Sequence, residues 1–314
     1  MSCGHSKRGL ERPEGVSLLD KFLGRRPIND SGAEPLVANL GIKDPLTLQV
    51  LFAEPRSFET KELTRDLRTF DRSMDCGRCE VEDQLAKEGK LFGLAGWDKH
   101  IVRFFGFDIP MAADAVEACV APAHYPQNVK DRARGHRAHA NLFYAGYEAS
   151  ALEQYVALAA TATVLGRVGG IVVTNARGHT SLPMSLLLDI AATSDSIRML
   201  RELPLPYLYC GFVKHEVEDV QGVWMRTYGA PCLGLPDLAA HATGHQEGQR
   251  YFDDFENVFR YVLDSGKKLG RGHTMQIGAR EYMRLRAPKL NESFLVPSGE
   301  LLVMEVIDAD DINR

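Results

Sequence analysis

The sequence predicts an α+β protein, with a ferredoxin-like split βαβ order in its first half and a mixed α+β arrangement in its second. Three observations carry that reading. Strand-like and helix-like hydrophobic periods alternate from Leu46 onward, the first half runs β-α-β-β-α-β, and the second half is mostly strands broken by two helical stretches. With 314 residues, 45% of them hydrophobic and 25% charged, the chain is large and apolar enough to bury a substantial core, and its composition fits neither disorder nor a membrane protein.

Residues 1–45 are rich in Gly, Pro and charge. Their one apolar spacing, Val16, Leu18, Leu19, Phe22 and Leu23, fits two helical turns ending at Gly24, an amphipathic patch too short to stand without a surface beneath it. It reads as a flexible tail that docks on its own domain or is presented to a partner. From Leu46, LTLQVLFAE reads as a strand and SFETKELTRDLRTF as a helix capped by Ser57 or Thr60. KLFGLAGWDKHIVRFFGFDIP gives two strands turning near Trp97, Asp98 and Lys99, and PMAADAVEACVAP a short helix between Pro110 and Pro122. Next come AHANLFYAG as a strand, EASALEQYVALAATATVLGR as a long helix, GGIVVTNA as an apolar strand and PMSLLLDIAATSD as a helix.

The second half opens with PYLYCGFVKHEVEDVQGVWMRTYG as a strand pair. LPDLAAHA follows as a short helix, with Pro236 in its first turn and Asp237 at the positive end of its dipole. FDDFENVFRYVLDSG is a helix stopped by Gly266, with Asp253 and Asp254 in its first turn, and HTMQIGAREYMRLRAP and ELLVMEVID close the chain as strands. The units expected are a tail over 1–45, a ferredoxin-like half over 46–203 and a second α+β half over 204–314, the last two separate or one continuous domain.

Charge and motifs narrow the function. The net charge of -5 provides no global basic field for nucleic acid, although Lys130, Arg132, Arg134 and Arg137 form a local basic cluster. Six scattered cysteines do not resemble a secreted disulfide framework, and no stretch has the length of a signal peptide core or a membrane span, so a cytoplasmic protein is expected. No phosphate loop, dinucleotide fingerprint or G-x-S-x-G occurs.

The remaining candidates are fragments of sites. Cys76 and Cys79 form a C-x-x-C, half of a tetrahedral thiolate site that Cys3 and His5 could complete as a structural zinc; inert loop cysteines and a redox pair are the alternatives. His136 and His139 make an H-x-x-H at the start of a strand, and His139, Asn141 and His179 are the most enzyme-like set, although no carboxylate accompanies them. His241 and His245 have the i, i+4 spacing but lack the glutamate of a metalloprotease helix. Cys232 lies in a Gly/Pro turn with neither base nor oxyanion donors fixed by sequence.

Three stretches carry a family resemblance: YGAPCLGLPDLA at 228–239, HRAHANLFYAG at 136–146 and GGIVVTNARGHTSLP at 169–183. Their Gly-Leu-Pro-Asp-Leu corner, His-x-x-His strand start and following His-containing turn resemble the domain of unknown function family 4261, from roughly Leu46 to Asp308. The resemblance implies a bacterial-type α+β cytoplasmic protein, of a kind regarded as accessory or immunity-like near secretion and toxin systems, and it brings no assigned activity. The leading expectation is a non-enzymatic module that binds a protein partner, with no cofactor beyond the zinc considered above. The alternative is a metal-dependent or hydrolase-like enzyme using His139, Asn141 and His179.

Overall fold

The structure is a computed structural model that describes residues 35–82, 91–295 and 300–311. The amphipathic patch at 16–23, Cys3 and His5 lie outside these residues. The described chain is mixed α+β, built on two sheets.

In the first half the chain runs β1 (Thr47–Phe52), α1 (Thr60–Arg68), β2 (Arg78–Val81), β3 (Phe92–Trp97), β4 (His100–Phe107), α2 (Ala113–Val120), α3 (Gln127–Arg134), β5 (Ala138–Tyr144), α4 (Ala151–Gly166), β6 (Gly170–Asn175), β7 (Thr180–Pro183), α5 (Met184–Ala191) and α6 (Ser196–Glu202). The seven strands form sheet A in the order β2-β3-β4-β5-β1-β6-β7. The plait expected from β1, β3, β4 and β5 has four strands; here those four run β3-β4-β5-β1 within a seven-stranded sheet that also takes in β2, β6 and β7, a wider arrangement than the one expected. β2 is a strand that the polar look of the Cys76–Cys79 stretch concealed.

One face of sheet A rests on α4, which is almost wholly buried. Ala157, Ala159, Ala160 and Ala162 let the strands approach closely, and the Thr161 and Thr163 hydroxyls donate to the carbonyls of Ala157 (3.0 Å) and Ala159 (2.7 Å), so their burial leaves no polar group unpaired. Ser150 caps this helix by accepting the Glu153 N–H, as a helix start requires. At α1 neither Ser57 nor Thr60 caps; Glu59 occupies that position without a side-chain bond. The opposite face of sheet A packs Leu51, Ile171 and Val172 against α2 and α3 through Val116, Val120 and Ala133.

In the second half the elements are α7 (Leu205–Leu208), β8 (Gly211–His215), β9 (Val223–Tyr228), β10 (Asp237–Ala242), α8 (Gly248–Ser265), β11 (Thr274–Gln276), β12 (Glu281–Arg286) and β13 (Leu301–Asp308). Sheet B has the order β11-β12-β13-β10-β9-β8, and α8 covers one face of it through Phe255, Val258 and Phe259. Gly266, in the left-handed region at φ 65, ends α8 as expected.

The largest correction falls on LPDLAAHA, which is the central strand β10 and not a helix. Its alanines satisfied a helical reading, but they lie between β9 and β13 with both faces covered, where small side chains admit close packing on each side. Asp237 is therefore a buried carboxylate and not a helix-dipole partner. The corner before it is a 3-10 turn, Ala230–Leu233, framed by Gly229 and Gly234 at φ 82 and 75. Asp253 and Asp254 sit in the second turn of α8, since that helix starts at Gly248.

The two sheets meet where the β6–β7 turn lies on the start of β8. A Cβ at Gly211 would fall 1.6 Å from the Gly178 carbonyl oxygen, so only glycine admits this contact. One apolar core runs through both halves, from Leu46 to Met304.

Candidate functional site

Strand alternation divides sheet B into two chemically different faces. Met225, Leu238, Ala240, Met283, Leu285, Leu302 and Met304 point to α8 and are apolar. The intervening residues make up the outer face: His215 on β8, Trp224, Arg226 and Tyr228 on β9, Asp237 and His241 on β10, Glu305 and Ile307 on β13, and Arg286 on β12. Half-sheet alternation would put such residues toward solvent, yet Trp224, Arg226 and Asp237 are 5%, 2% and 4% exposed.

Two stretches cover this face. Residues 290–295 form a 3-10 segment whose Leu295 packs with Trp224, Ala239, Leu301 and Val303, and Val217 from the β8–β9 connection joins them. Arg286 fixes the segment, donating to both carboxylate oxygens of Glu292 at 2.6 and 2.7 Å and also bonding Glu305. Burial raises the pKa of Glu292, but these bonds outweigh it and leave the carboxyl below its usual range.

Between the cover and the sheet lies an open groove of about 560 Å³, lined by Trp224, His241, Arg286, Phe294, Glu305 and Val306 among others. Val220, Phe294 and Val306 are exposed there, and Leu290 stands fully out on the covering segment. The Phe294 ring meets the Trp224 indole edge to face at 6.0 Å, and His241 lies against the same indole at 5.0 Å. The Trp224 indole N–H is buried and has no acceptor among the described residues. A buried donor without a partner costs about 1–3 kcal/mol.

Arg226 continues the face toward the seam between the sheets. Its guanidinium lies 4.0 Å from the centre of the Tyr228 ring and 3.9 Å from the Asp237 carboxylate, while its Nε–H is buried without an acceptor. Burial pushes the Asp237 carboxyl up to about 6, against the opposing hydrogen bond from the Ala230 N–H and the charge of Arg226. The His179 imidazole stacks on Tyr228 at 4.4 Å, and the Tyr228 hydroxyl bonds His215 Nε2 at 2.8 Å. Burial, then Arg226, lowers the pKa of both imidazoles, so they are neutral at pH 7. His179 holds a left-handed backbone, φ 48, in the tight β6–β7 turn.

The residues singled out from sequence are dispersed. His139 and Asn141 lie on β5, level with Leu51 and Gln49 of β1, whereas His179 follows the far end of β6, beyond Asn175. That separates His139 from His179 by roughly 13 Å along the strand direction alone. His139 Nδ1 donates to the Ile109 carbonyl at 2.9 Å and its ring stacks on Phe107; His136 bonds the Ala133 carbonyl and the Met111 N–H, both at 2.8 Å. His241 is on strand β10 and His245 in a 3-10 turn, so their spacing does not put them on one helical face.

Cys76 is exposed, but Cys79 sits buried on β2, its thiol pushed up to about 12 first by burial and then by Asp66. Among the described residues no group of three or more His, Cys, Asp or Glu is placed to hold a metal ion. Cys232 lies in the turn before β10, 3.8 Å from Arg177 Nη1, and Arg177 also pairs with Asp44. In the basic cluster Arg134 bonds Glu117 and Asp131, Lys130 bonds the Ala121 carbonyl and Arg137 pairs with Glu54, which spends much of its charge locally.

Sequence reasoning missed Trp224, Arg226, His241 as a strand residue, and Phe294. The available signal was the alternation V-W-M-R-T-Y at 223–228, in which every second residue is aromatic or cationic. Among the described residues no helix is long and apolar enough to cross a membrane.

No curated protein and no solved structure matches the chain. The match that exists begins at Arg226 itself and takes in the Gly-Leu-Pro-Asp-Leu corner and most of the groove, leaving out the His136 and Gly169 stretches: residues 226–305 match the family model described as Domain of unknown function (DUF4261).

Proposed function

We propose that this protein acts by binding a protein partner, a segment of which occupies the groove on the outer face of sheet B, and that it performs no chemistry of its own. The observation that carries the reading is Trp224: an indole N–H buried beside an open groove, with no acceptor among the described residues. A partner carbonyl would satisfy it, and buried aromatic anchors of this kind dominate protein interfaces. Around it, Val220, Phe294 and Val306 supply apolar contact, and the Arg286, Glu292, Glu305 and Lys289 charges supply a polar rim. An accessory or immunity-like role would require a surface of this sort.

We read sheet A as the scaffold, its β5-α4-β6 unit with β1 between the parallel strands being a split βαβ widened at both edges. The enzymatic alternative has less support, because His139 stands near one end of that sheet, Asn141 in the middle of β5 and His179 beyond the other end.

The test is selection of random peptides of about ten residues against the immobilised full chain. Peptides that bind the native chain and lose at least tenfold in affinity to Phe294→Asp are expected. Peptides that bind both chains equally would place the partner surface elsewhere.

A further inference from the structure

The groove lies at a fork in sheet B. β10 and β13 pair in parallel only at Asp237–Leu301, Leu238–Leu302 and Ala239–Val303. Beyond that point β10 continues to pair with β9 through Ala242, and β13 with β12 through Asp308. The two arms part, and the residues lining the opening are His241 on one arm and Met304, Glu305, Val306 and Ile307 on the other. From Met304 onward β13 has no strand neighbour on that side among the described residues.

The arms differ in what they leave unmet. On β10 the His241 carbonyl accepts the Tyr251 hydroxyl at 3.3 Å, so α8 supplies a bond that a neighbouring strand would otherwise make. Among the described residues no such substitute meets the β13 arm. Met304–Ile307 is four residues long, roughly 13 Å as a strand, and lines the opening over that whole length. Trp224 stands on the wall opposite, with its N–H short of an acceptor.

We infer that the occupant of the groove is an extended peptide segment that adds to the free edge of β13 as a strand, its backbone paired with Met304–Ile307 and one of its carbonyls taking the Trp224 indole N–H. This rests on the groove being the partner site. Recognition is then mainly of backbone, and apolar side chains at alternate positions of the ligand fall against Phe294 and Val220. The partner's contribution is a stretch of chain with strand propensity and no proline at the pairing positions.

The experiment is an N-methyl scan of a peptide selected on the full native chain, each backbone nitrogen methylated in turn and affinity measured by titration calorimetry. Strand addition predicts losses of tenfold or more at every second residue over about four consecutive positions, with the intervening ones within about twofold. An even tolerance of methylation, with affinity still reduced about tenfold in Trp224→Phe, would overturn strand addition while leaving the groove as the site. Equal affinity for the native chain and Trp224→Phe, the variant's folding being checked by near-UV circular dichroism, would overturn both. The scan alters only the peptide, so no folding failure can imitate its result.

Discussion

His136, just before β5 of sheet A, and Trp224 on sheet B are equally buried, each 5% exposed, and their polar atoms are treated oppositely. Both imidazole nitrogens of His136 are bonded, one to the Ala133 carbonyl and one to the Met111 N–H, whereas the indole N–H of Trp224 has no acceptor among the described residues. Satisfied buried groups fix a fold, and a buried donor left open marks a place where something else is accommodated. By that criterion His136 and His139 are structural, and the outer face of sheet B carries two such open donors side by side, the Trp224 and Arg226 N–H groups.

The contrast can be broken at its strongest point first. Arg226→Ala removes a buried cation and leaves Asp237 buried without it, so stability should fall by about 3–5 kcal/mol in urea unfolding. An Asn141→Ala change on sheet A, where the side chain is half-buried, should cost no more than ~1 kcal/mol. Similar losses for the two would remove the distinction between the sheets.

The pH dependence of Asp237 sharpens it next. Because burial raises its folded pKa to about 6 from the ordinary 3.8, the folded state holds this proton more tightly than the unfolded chain. The stability so gained is complete below the unfolded value and is lost as the pH rises through about 6. Asp237→Asn lacks this titration, so its stability relative to the native chain should improve between about pH 4 and pH 7 in thermal melts. A pH-independent difference would mean that Asp237 is not the buried acid described.

Smaller effects follow at the groove and at the sheet A histidines. Trp224→Phe keeps most of the apolar contact and should lower stability by less than ~1.5 kcal/mol, while weakening a selected peptide about tenfold. His139→Ala forfeits the bond to the Ile109 carbonyl and the stack on Phe107, a loss of about 1 kcal/mol, and should leave peptide affinity unchanged by titration calorimetry. A loss of affinity there would return sheet A to consideration as the site.

Much of the fold was legible because periodicity and punctuation are local. Pro110, Pro122, Gly266 and the Trp97-Asp98-Lys99 turn all mark real boundaries. β10 was not legible, since Leu-Ala-Ala-His-Ala satisfies a helix on propensity and becomes a strand only through its place in the fold, between β9 and the distant β13 and against α8. The site was hidden for the same reason. Trp224, His241, Phe294 and Glu305 converge through strand register, and nothing in their sequence separation announces it. The histidine spacings, which did announce something, proved to be bonds of the chain to itself at His136 and His139.

The most direct test is the indole N–H signal of Trp224 in a nitrogen-15 NMR spectrum of the chain with and without a bound selected peptide. The protein has two tryptophans, and comparison with Trp224→Phe assigns the two signals. If the outer face of sheet B is the binding face, the Trp224 signal moves downfield as its N–H gains an acceptor, and the Trp97 signal stays in place. A peptide that binds while the Trp224 signal does not move would contradict the account.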